Sequence, residues 1–220
     1  MDPTDPFRKL ALGYPEAVEG GSCLKAAFSA ADDAATLTQR LLAFSRNQPL
    51  TPRAADMNAL VQRMFVLIGR TMDDSIVVKC DFTDDLAPVS IDFGQLENAL
   101  LNLVVNARDS MPRGGEISIE TNSVTVDQEA AECDHDLTSG EYISLAVRDT
   151  GVGMPKDVLD QAFEPFFTTK ANGTGLGLVL TLQILSEHRG TIRFSSQENM
   201  GTTFHIALPA AAEAEGGAHV

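Results

Sequence analysis

The 220-residue sequence contains no tryptophan, only 6% aromatic residues and only three cysteines. A core without tryptophan must be mainly aliphatic. Cys23, Cys80 and Cys133 are odd in number and far apart, which argues against a disulfide framework and for a reducing compartment. No apolar run reaches the roughly 18 residues of a membrane span. We therefore predict a cytoplasmic location without direct membrane contact, although the soluble part of a longer membrane protein would show the same features.

Positive charge is also scarce. Lys and Arg total 16 against 31 Asp and Glu, which gives a formal net charge of −15. Such a surface repels nucleic acids and anionic membranes overall, so we predict no nucleic-acid partner. Any phosphate site must then be local, built from backbone amides, a few cations or a bound metal.

Periodic spacing of hydrophobic residues is clear along much of the chain and predicts two regions, a helical segment and a longer region of helices and strands. Residues 32–48 have helical spacing with Leu37, Leu41 and Phe44 on one face, and Pro49 ends the pattern. Such an apolar face could mediate self-association as part of a helical bundle. The first 30 residues mix Asp, Pro and Gly and predict no regular element.

Helical and strand patterns alternate over residues 53–210. Asp56 and Asp92 are predicted to cap two helices, and LGLVLTLQILSEH forms a third. Strands are predicted for SIVVKCDF, EISIETNSVTV and YISLAVRDT, and GTIRFSS with TTFHIALP forms a closing hairpin. These elements predict an α+β fold, a two-layer sandwich of a mixed sheet of about five strands against three helices. Residues 127–141 are expected to form an acidic loop and residues 211–220 a disordered tail.

An amide-rich stripe lies on the longest predicted helix, within NALLNLVVNARDSMPRGGEISIE. On a helical wheel Asn98, Asn102 and Asn106 fall near Gln95 and Asp109, opposite the leucines. A solvated stripe usually carries Lys, Glu and Arg, which are better helix formers. Carboxamides suit a site that offers oxygen ligands to a hard cation and donors to phosphate. Taken alone, the stripe fits a solvent-facing surface equally well.

The motif RDTGVGMP follows an apolar strand. Asp149 stands at the strand end, where a carboxylate is a good acceptor for an exocyclic amine. Gly151 and Gly153 allow a flat ligand to approach the backbone closely. A tight turn after a strand would explain the glycines without a ligand.

The motif FFTTKANGTGLGL places Gly173, Gly175 and Gly177 before a helix, whose N-terminal amides could bind an anion. It is not a Walker A sequence, because no Lys-Ser/Thr follows the glycines, and it is not a Rossmann motif, because no strand precedes it. Lys170 could neutralise a phosphate. A flexible loop would also explain the glycines.

The phenylalanines and histidines near these motifs are predicted to have structural roles. Phe163, Phe166 and Phe167 are expected to anchor the glycine-rich loop in the core. His188 is expected to cap a helix C-terminus, and His205 to pack within a strand.

Together the motifs resemble those of a known family. In order, N-x₃-N on a helix, D-x-G-x-G after a strand, F-x-x-F-F and G-T-G-L-G-L before a helix resemble the N, G1, F and G2 boxes of bacterial sensor histidine kinases. Their ATPase superfamily, with its Bergerat fold, also contains gyrase, the MutL proteins and the Hsp90 chaperones. LTQRLLAFSRNQPL further resembles the second helix of the kinase dimerisation domain. The resemblance implies a degenerate or truncated dimerisation region at residues 1–52, an ATP-binding catalytic domain at residues 53–210, and a homodimer through residues 32–48.

The resemblance also implies a site for ATP and Mg²⁺, in which Asn102, Asn106 and Lys170 would be catalytic. Asn106 would hold the Mg²⁺ that bridges the triphosphate, and Asp149 would bind the adenine amino group beside Gly151 and Gly153. Asn102 stands where the chaperone and gyrase branches carry a catalytic Glu. Because an amide cannot act as a base, phosphotransfer is favoured over a standalone ATPase activity.

The remaining implied contacts lie at the two ends of the nucleotide. Arg108 and Lys170 would contact phosphate, although the wheel points Arg108 away from the amide stripe. Thr202 would support the adenine site. The residues that would wrap the phosphates as the end of a mobile lid are Gly173, Thr174, Gly175, Leu176 and Gly177.

The implied function is transfer of the γ-phosphoryl of Mg-ATP to a histidine on another segment or partner, in two-component signalling. A response-regulator receiver domain and the phosphoacceptor helix of a longer kinase or partner are the implied partners. The acceptor His expected before Leu41 is not evident, since residues 1–30 contain none and His135 lies in the predicted acidic loop. The lid segment is also shorter than the family's common form. Both departures favour the alternative, a non-catalytic degenerate kinase that docks a regulator or a kinase.

Overall fold

The computed structural model describes residues 50–72, 74–133, 137–170 and 173–211. In chain order their elements are β1 (Arg53–Ala55), α1 (Met57–Thr71), β2 (Ile76–Phe82), β3 (Val89–Ile91), α2 (Phe93–Asp109), β4 (Gly115–Val126), α3 (Gln128–Cys133), β5 (Gly140–Asp149), α4 (Lys156–Leu159), α5 (Gly177–Glu187), β6 (Thr191–Gln197) and β7 (Gly201–Pro209). None of the helices in this part of the chain combines the length and the apolar character that crossing a membrane requires.

The main sheet has five strands in the order β2-β4-β5-β7-β6. β2 pairs with β4 in parallel, whereas the other pairs are antiparallel. Side chains alternate across the sheet, so Ile117 and Ile119 are buried while Glu120 is exposed. The predicted mixed sheet of an α+β fold is therefore confirmed.

Helix α2 supplies much of the core beneath the sheet. Its buried residues follow helical spacing on one side: Leu96, Ala99, Leu100, Leu103, Val104 and Ala107. They share one hydrophobic cluster with strand residues such as Ile117 and Ile143. Each buried leucine contributes about 1.5–3 kcal/mol. This burial orients α2, so its amide stripe faces away from the apolar cluster.

Both predicted caps are present. Asp56 accepts hydrogen bonds from the backbone N–H groups of Asn58 at 2.8 Å and Ala59 at 3.2 Å. Asp92 accepts one from Gln95 N–H at 3.3 Å and two more from Thr51. Partial burial by itself raises the pKa of Asp92, but the hydrogen bonds from Thr51 and the helix backbone outweigh it and lower the pKa. Caps of this kind contribute about 1 kcal/mol each.

Two local features differ from the sequence prediction. β1 and β3 form a separate antiparallel ribbon, in which Arg53 pairs with Ile91. Three-residue strands are too short to show a period in the sequence. The predicted acidic loop is wrong at residues 128–133, where α3 forms. The sequence there, QEAAEC, is rich in good helix formers, and Glu129 in its first turn complements the helix dipole.

The predicted dimerisation helix at residues 32–48 and most of the predicted tail lie outside the described residues. So does His135. The predicted boundaries at residues 52 and 210 therefore stay predictions.

Candidate functional site

The C-terminal half of α2 brings the three sequence motifs together. Ser110, the residue that caps α2, donates to Asp149 Oδ1 at 3.0 Å. Four residues earlier, Asn106 Oδ1 accepts from Lys170 Nζ at 2.9 Å. A Cβ placed on Gly177 would lie 4.0 Å from Asn106 Nδ2. The amide stripe, the strand-end acid and the glycine-rich loop thus share one region of the domain.

Asp149 is a buried acid at the end of β5, only 3% exposed. Its Oδ1 accepts from Gly151 N–H at 2.8 Å, from the Ser110 hydroxyl and from Thr202 N–H at 3.3 Å. Burial raises the pKa of Asp149, and these hydrogen bonds offset the shift only in part. Within the described residues every hydrogen bond to this carboxylate falls on Oδ1. These hydrogen bonds therefore hold the side chain in one orientation, and Oδ2 remains able to accept a hydrogen bond.

The turn after β5 has no room for side chains at its glycines. Gly153 has a φ of +65°, and a Cβ there would overlap the carbonyl of Gln197. A Cβ on Gly151 would overlap the Ser110 side chain. Thr202 supports the same region from the closing hairpin, because its hydroxyl lies 2.9 Å from Ser196 Oγ. The backbone of this turn is therefore held tightly around Asp149.

Two cations gather at the other end of the site. Lys170 Nζ donates to Asp109 Oδ2 at 2.7 Å as well as to Asn106 Oδ1. Arg108 donates to Asp109 Oδ1 through Nε at 3.1 Å and through a terminal nitrogen at 2.9 Å. Partial burial raises the pKa of Asp109, but the hydrogen bonds and charges of Lys170 and Arg108 outweigh it and hold the pKa below its ordinary value. Arg108 also donates to Thr71 O at 3.3 Å, so its guanidinium reaches toward the end of α1.

The glycine-rich loop closes onto the start of α5. Gly175 has a φ of +65°, and its carbonyl accepts from Phe166 N–H at 3.0 Å. Gly173 N–H donates to Lys170 O at 3.0 Å. Leu176 is buried at 2% exposure and anchors the loop, whereas Thr174 is half-buried. Leu176 at the N-cap position of α5 makes no side-chain capping hydrogen bond, so backbone amides in the first turn are open to a ligand.

The aromatic predictions hold in part. Phe163 packs edge-on against Phe194 at 5.4 Å between ring centroids, and Phe194 stacks on Phe204 at 5.6 Å. Phe166 is 65% exposed, so its predicted role as a core anchor is wrong. Its positive φ of 69° turns the chain toward the Gly175 contact, and the side chain points outward. Phe167 is half-buried.

The two described histidines behave differently. His188 is the C-cap residue of α5 and is buried, as predicted for a helix end. His205 is exposed on the outer face of β7, so its predicted packing role is wrong. The alternation of β7 explains this, because Phe204 and Ile206 take the inward positions.

The sequence places Asp109 on the amide stripe without an individual role and gives no role to Ser110. Both continue the amide stripe, since Ser110 is four residues and Asp109 three residues after Asn106. That spacing was the available signal for the contacts that they make to Asp149 and Lys170.

Comparisons with known proteins identify the family. Residues 91–212 match the family of histidine kinase-, DNA gyrase B-, and HSP90-like ATPases. The sensor kinase CckA of Brucella abortus (strain 2308) is 43% identical over 181 residues, which are 81% of this chain and 19% of CckA. The sensor histidine kinase ZraS of Escherichia coli (strain K12) is 32% identical over 213 residues, which are 94% of this chain and 43% of ZraS. The chain therefore spans less than half the length of these relatives.

Solved structures share the fold. The catalytic domain of the histidine kinase ThkA aligns with a TM-score of 0.59 and 26% identity, over 72% of this chain and 95% of that one. ThkA in complex with the response regulator protein TrrA aligns with a TM-score of 0.67 at 22% identity, over 92% of this chain and 54% of that one, a likeness of fold. With the family match over more than half of its length, the chain belongs to the histidine kinase-, DNA gyrase B- and HSP90-like ATPases, as the ATPase catalytic core of a bacterial sensor histidine kinase.

Proposed function

We propose that the chain binds Mg-ATP at the α2 site and transfers the γ-phosphoryl group to a histidine on another segment or partner. One observation carries the proposal. The buried carboxylate of Asp149 and the ammonium of Lys170 both contact α2, at Ser110 and at Asn106. Four residues separate these contacts, about 6 Å of helix rise. An acceptor for the amine of a base and a cation for phosphates therefore border the same helix.

The adenine end of the proposed site is Asp149. Its Oδ2 would accept the exocyclic amine, while the three donors on Oδ1 prevent the carboxylate from rotating. Gly153 lets the backbone approach a flat base closely, since a side chain there would already collide with Gln197. Thr202 acts by donating its N–H to Asp149.

The phosphate end fits a magnesium nucleotide. Asn106 presents an amide oxygen, a hard ligand of the kind that Mg²⁺ prefers. Asn106 would hold the ion, which when bound would neutralise charge on the phosphate oxygens. Lys170 and Arg108 supply N–H donors nearby. The loop glycines and the uncapped start of α5 would donate backbone amides to the phosphates.

Asn102 favours transfer over hydrolysis in this proposal. It lies on α2 close to Gly177, whose Cβ would be 4.0 Å from Asn102 Cγ. An amide cannot take a proton from an attacking water. Phosphoryl transfer needs mainly positioning and charge neutralisation, which the amides and cations of this site provide.

The proposed partners follow from the family. ThkA was solved with the response regulator protein TrrA, which supports a receiver domain as the final phosphate acceptor here. We propose that the immediate acceptor is a histidine on the phosphoacceptor helix of a longer kinase or partner, in the cytoplasm. A homodimer through residues 32–48 would bring two such catalytic cores together.

A nucleotide titration tests the binding half of the proposal. With Mg²⁺ present, Asn106→Ala should weaken ATP binding at least about tenfold, because an ion ligand is lost. Asn98→Ala is the matched control, since Asn98 is an exposed amide on the same helix. With EDTA in place of Mg²⁺ the difference between Asn106→Ala and wild type should shrink to the part that comes from the lost Asn106–Lys170 hydrogen bond. If the wild-type chain fails to bind millimolar ATP, only the docking alternative survives.

Incubation with labelled ATP tests the transfer half. The chain is incubated alone and with a peptide that carries a kinase phosphoacceptor helix. Acid-labile phosphate on the peptide, lost in Asn106→Ala, is the expected result. Steady-state release of inorganic phosphate without labelling of any chain would contradict phosphotransfer and favour an ATPase.

A further inference from the structure

Asp109 places a negative charge at the end of the site that would receive phosphate. Asp109 is the last residue of α2, and each of its two oxygens contacts a different cationic side chain. Oδ1 accepts from Arg108 at 2.9 and 3.1 Å, and Oδ2 accepts from Lys170 at 2.7 Å. A carboxylate repels phosphate, so its presence here calls for a compensating role.

The hydrogen bonds of Lys170 indicate that role. An ammonium group has three N–H donors. Among the described residues two of them are directed by fixed acceptors, Asn106 Oδ1 at 2.9 Å and Asp109 Oδ2 at 2.7 Å. Both acceptors lie on the same face of α2, one turn apart. Asp109 can therefore keep the lysine in place even when Asn106 Oδ1 turns to a Mg²⁺ ion, and the ammonium keeps its third N–H for a ligand.

Arg108 holds the carboxylate from the other side. Its remaining terminal nitrogen donates to Thr71 O at the end of α1, at 3.3 Å. This contact ties the guanidinium to a second helix, so Asp109 is held between α1 and the loop that carries Lys170. The charges of Arg108 and Lys170 also keep the carboxyl ionised at neutral pH, and the three side chains together retain one positive charge.

We propose that Asp109 is a positioning residue that holds the Lys170 ammonium beside Asn106, where its third N–H meets the terminal phosphate of a nucleoside triphosphate. This inference rests on the proposed function. Without Asp109, a long lysine side chain in a loop would have to be ordered by the ligand itself, which costs conformational entropy on binding. Since a diphosphate lacks the terminal group, Asp109 should affect triphosphate binding and leave diphosphate binding nearly unchanged.

A double-mutant cycle tests the inference with equilibrium binding of ADP and of a non-hydrolysable ATP analogue, both with Mg²⁺. Asp109→Asn keeps the side-chain shape and removes the charge, and Lys170→Met removes the ammonium. Asp109→Asn should weaken the ATP analogue about three- to fivefold, the range of a partly exposed ion pair, and ADP less than about twofold. The double variant should bind no more weakly than Lys170→Met alone, because Asp109 acts through Lys170. Asp81→Asn, an exposed acid on β2, is the control.

Three results would overturn the inference: tighter binding of the analogue by Asp109→Asn, equal losses for the analogue and ADP, or effects of the two substitutions that multiply. Tighter binding would show that repulsion exceeds positioning, and equal losses would show a merely structural role. These results are distinguishable from failure of the proposed function, in which the wild-type chain itself binds neither nucleotide.

Discussion

Asp149 meets two demands with two different oxygens. Oδ1 is fully engaged by Gly151, Ser110 and Thr202, which makes the residue part of the turn structure. Oδ2 remains available to accept a hydrogen bond from a ligand. An isosteric substitution can therefore test the roles of the two oxygens separately.

Asp149→Asn should keep the fold and change the ligand. Its amide oxygen can replace Oδ1, so we expect a melting temperature close to wild type. The amide nitrogen then faces the adenine amino group, two donors in contact, and ATP affinity should fall about tenfold or more. GTP affinity should change much less. Titration with both nucleotides checks this, with Asp81→Asn as the exposed control. Equal losses for ATP and GTP would contradict the assigned role.

The raised pKa of Asp149 predicts a pH dependence of binding. Burial makes the folded chain bind the Asp149 proton more tightly than the unfolded chain does. The ionised carboxyl thus costs stability at pH values above its folded pKa, and this cost is relieved as the pH falls through that value. Adenine affinity should instead decrease over the same pH range, because protonation removes the charge that strengthens the hydrogen bond.

Titrations of ATP at a series of pH values below neutrality measure this effect. Asp149→Asn is the reference, since it has no carboxyl to protonate and its weaker binding should not follow the same pH curve. Parallel pH curves for the two proteins would show that another group is responsible.

At the scale of the elements, His188 joins the end of α5 to the start of α2. Its Nε2 accepts from Asp92 N–H at 2.8 Å, and in the tautomer that this contact requires Nδ1 donates to Ile184 O at 2.7 Å. Asp92 in turn caps α2. A single imidazole thereby fixes the relative position of the two helices that border the site.

His188→Ala should lower the free energy of unfolding by about 1–3 kcal/mol, because the Asp92 N–H loses its partner in a partly buried place. His205→Ala is a matched control on an exposed strand position and should change stability by less than about 0.5 kcal/mol. Urea unfolding of both variants provides the measurement. Similar values for the two would mean that the His188 link contributes nothing.

The turn before α5 gives a second test at this scale. Gly175→Ala should destabilise the domain by about 1–3 kcal/mol, since its φ of +65° disfavours a side chain and a Cβ would overlap the Phe166 backbone. Nucleotide binding should weaken as well, because this turn places the loop that carries Lys170. Gly69→Ala, in α1 with open space around it, should instead stabilise the fold by about 0.5–1 kcal/mol. Thermal unfolding separates the two, and a loss in both would contradict the argument from backbone conformation.

At the scale of the whole molecule, the net charge of −15 contrasts with the cation pair at the site. A surface of this sign discourages nonspecific binding of polyanions. Among the described residues, Lys170 and Arg108 group near the amide oxygen of Asn106, and this local positive charge favours an anionic ligand.

Self-association is the prediction that belongs to the full chain. The helical spacing of Leu37, Leu41 and Phe44 predicts an apolar contact face. Leu41→Asp should therefore convert a dimer into a monomer, whereas Gln39→Asp, on the opposite side of the same predicted helix, should not. Sedimentation equilibrium measures the mass, and a monomeric wild-type chain would contradict the prediction.

Local patterns in the sequence were sufficient for most of the fold. The period of the apolar residues in α2 and the alternation of apolar and polar residues in β4 and β5 arise from the geometry of single elements. They can therefore be recognised without the tertiary structure. The caps at Asp56 and Asp92 are equally local, since each bonds within three residues. The same reasoning failed for β1, β3 and α3, which are too short to show a period.

The sequence by itself determined which chemical groups the site contains: amides on one helix face, an acid at a strand end and glycines before a helix. Only the tertiary structure decided which of them touch. Ser110 meets Asp149 across 39 positions, and Asp109 meets Lys170 across 61. Contacts of that separation depend on how the helices pack on the sheet, and burial of apolar surface, which drives that packing, has no direction of its own.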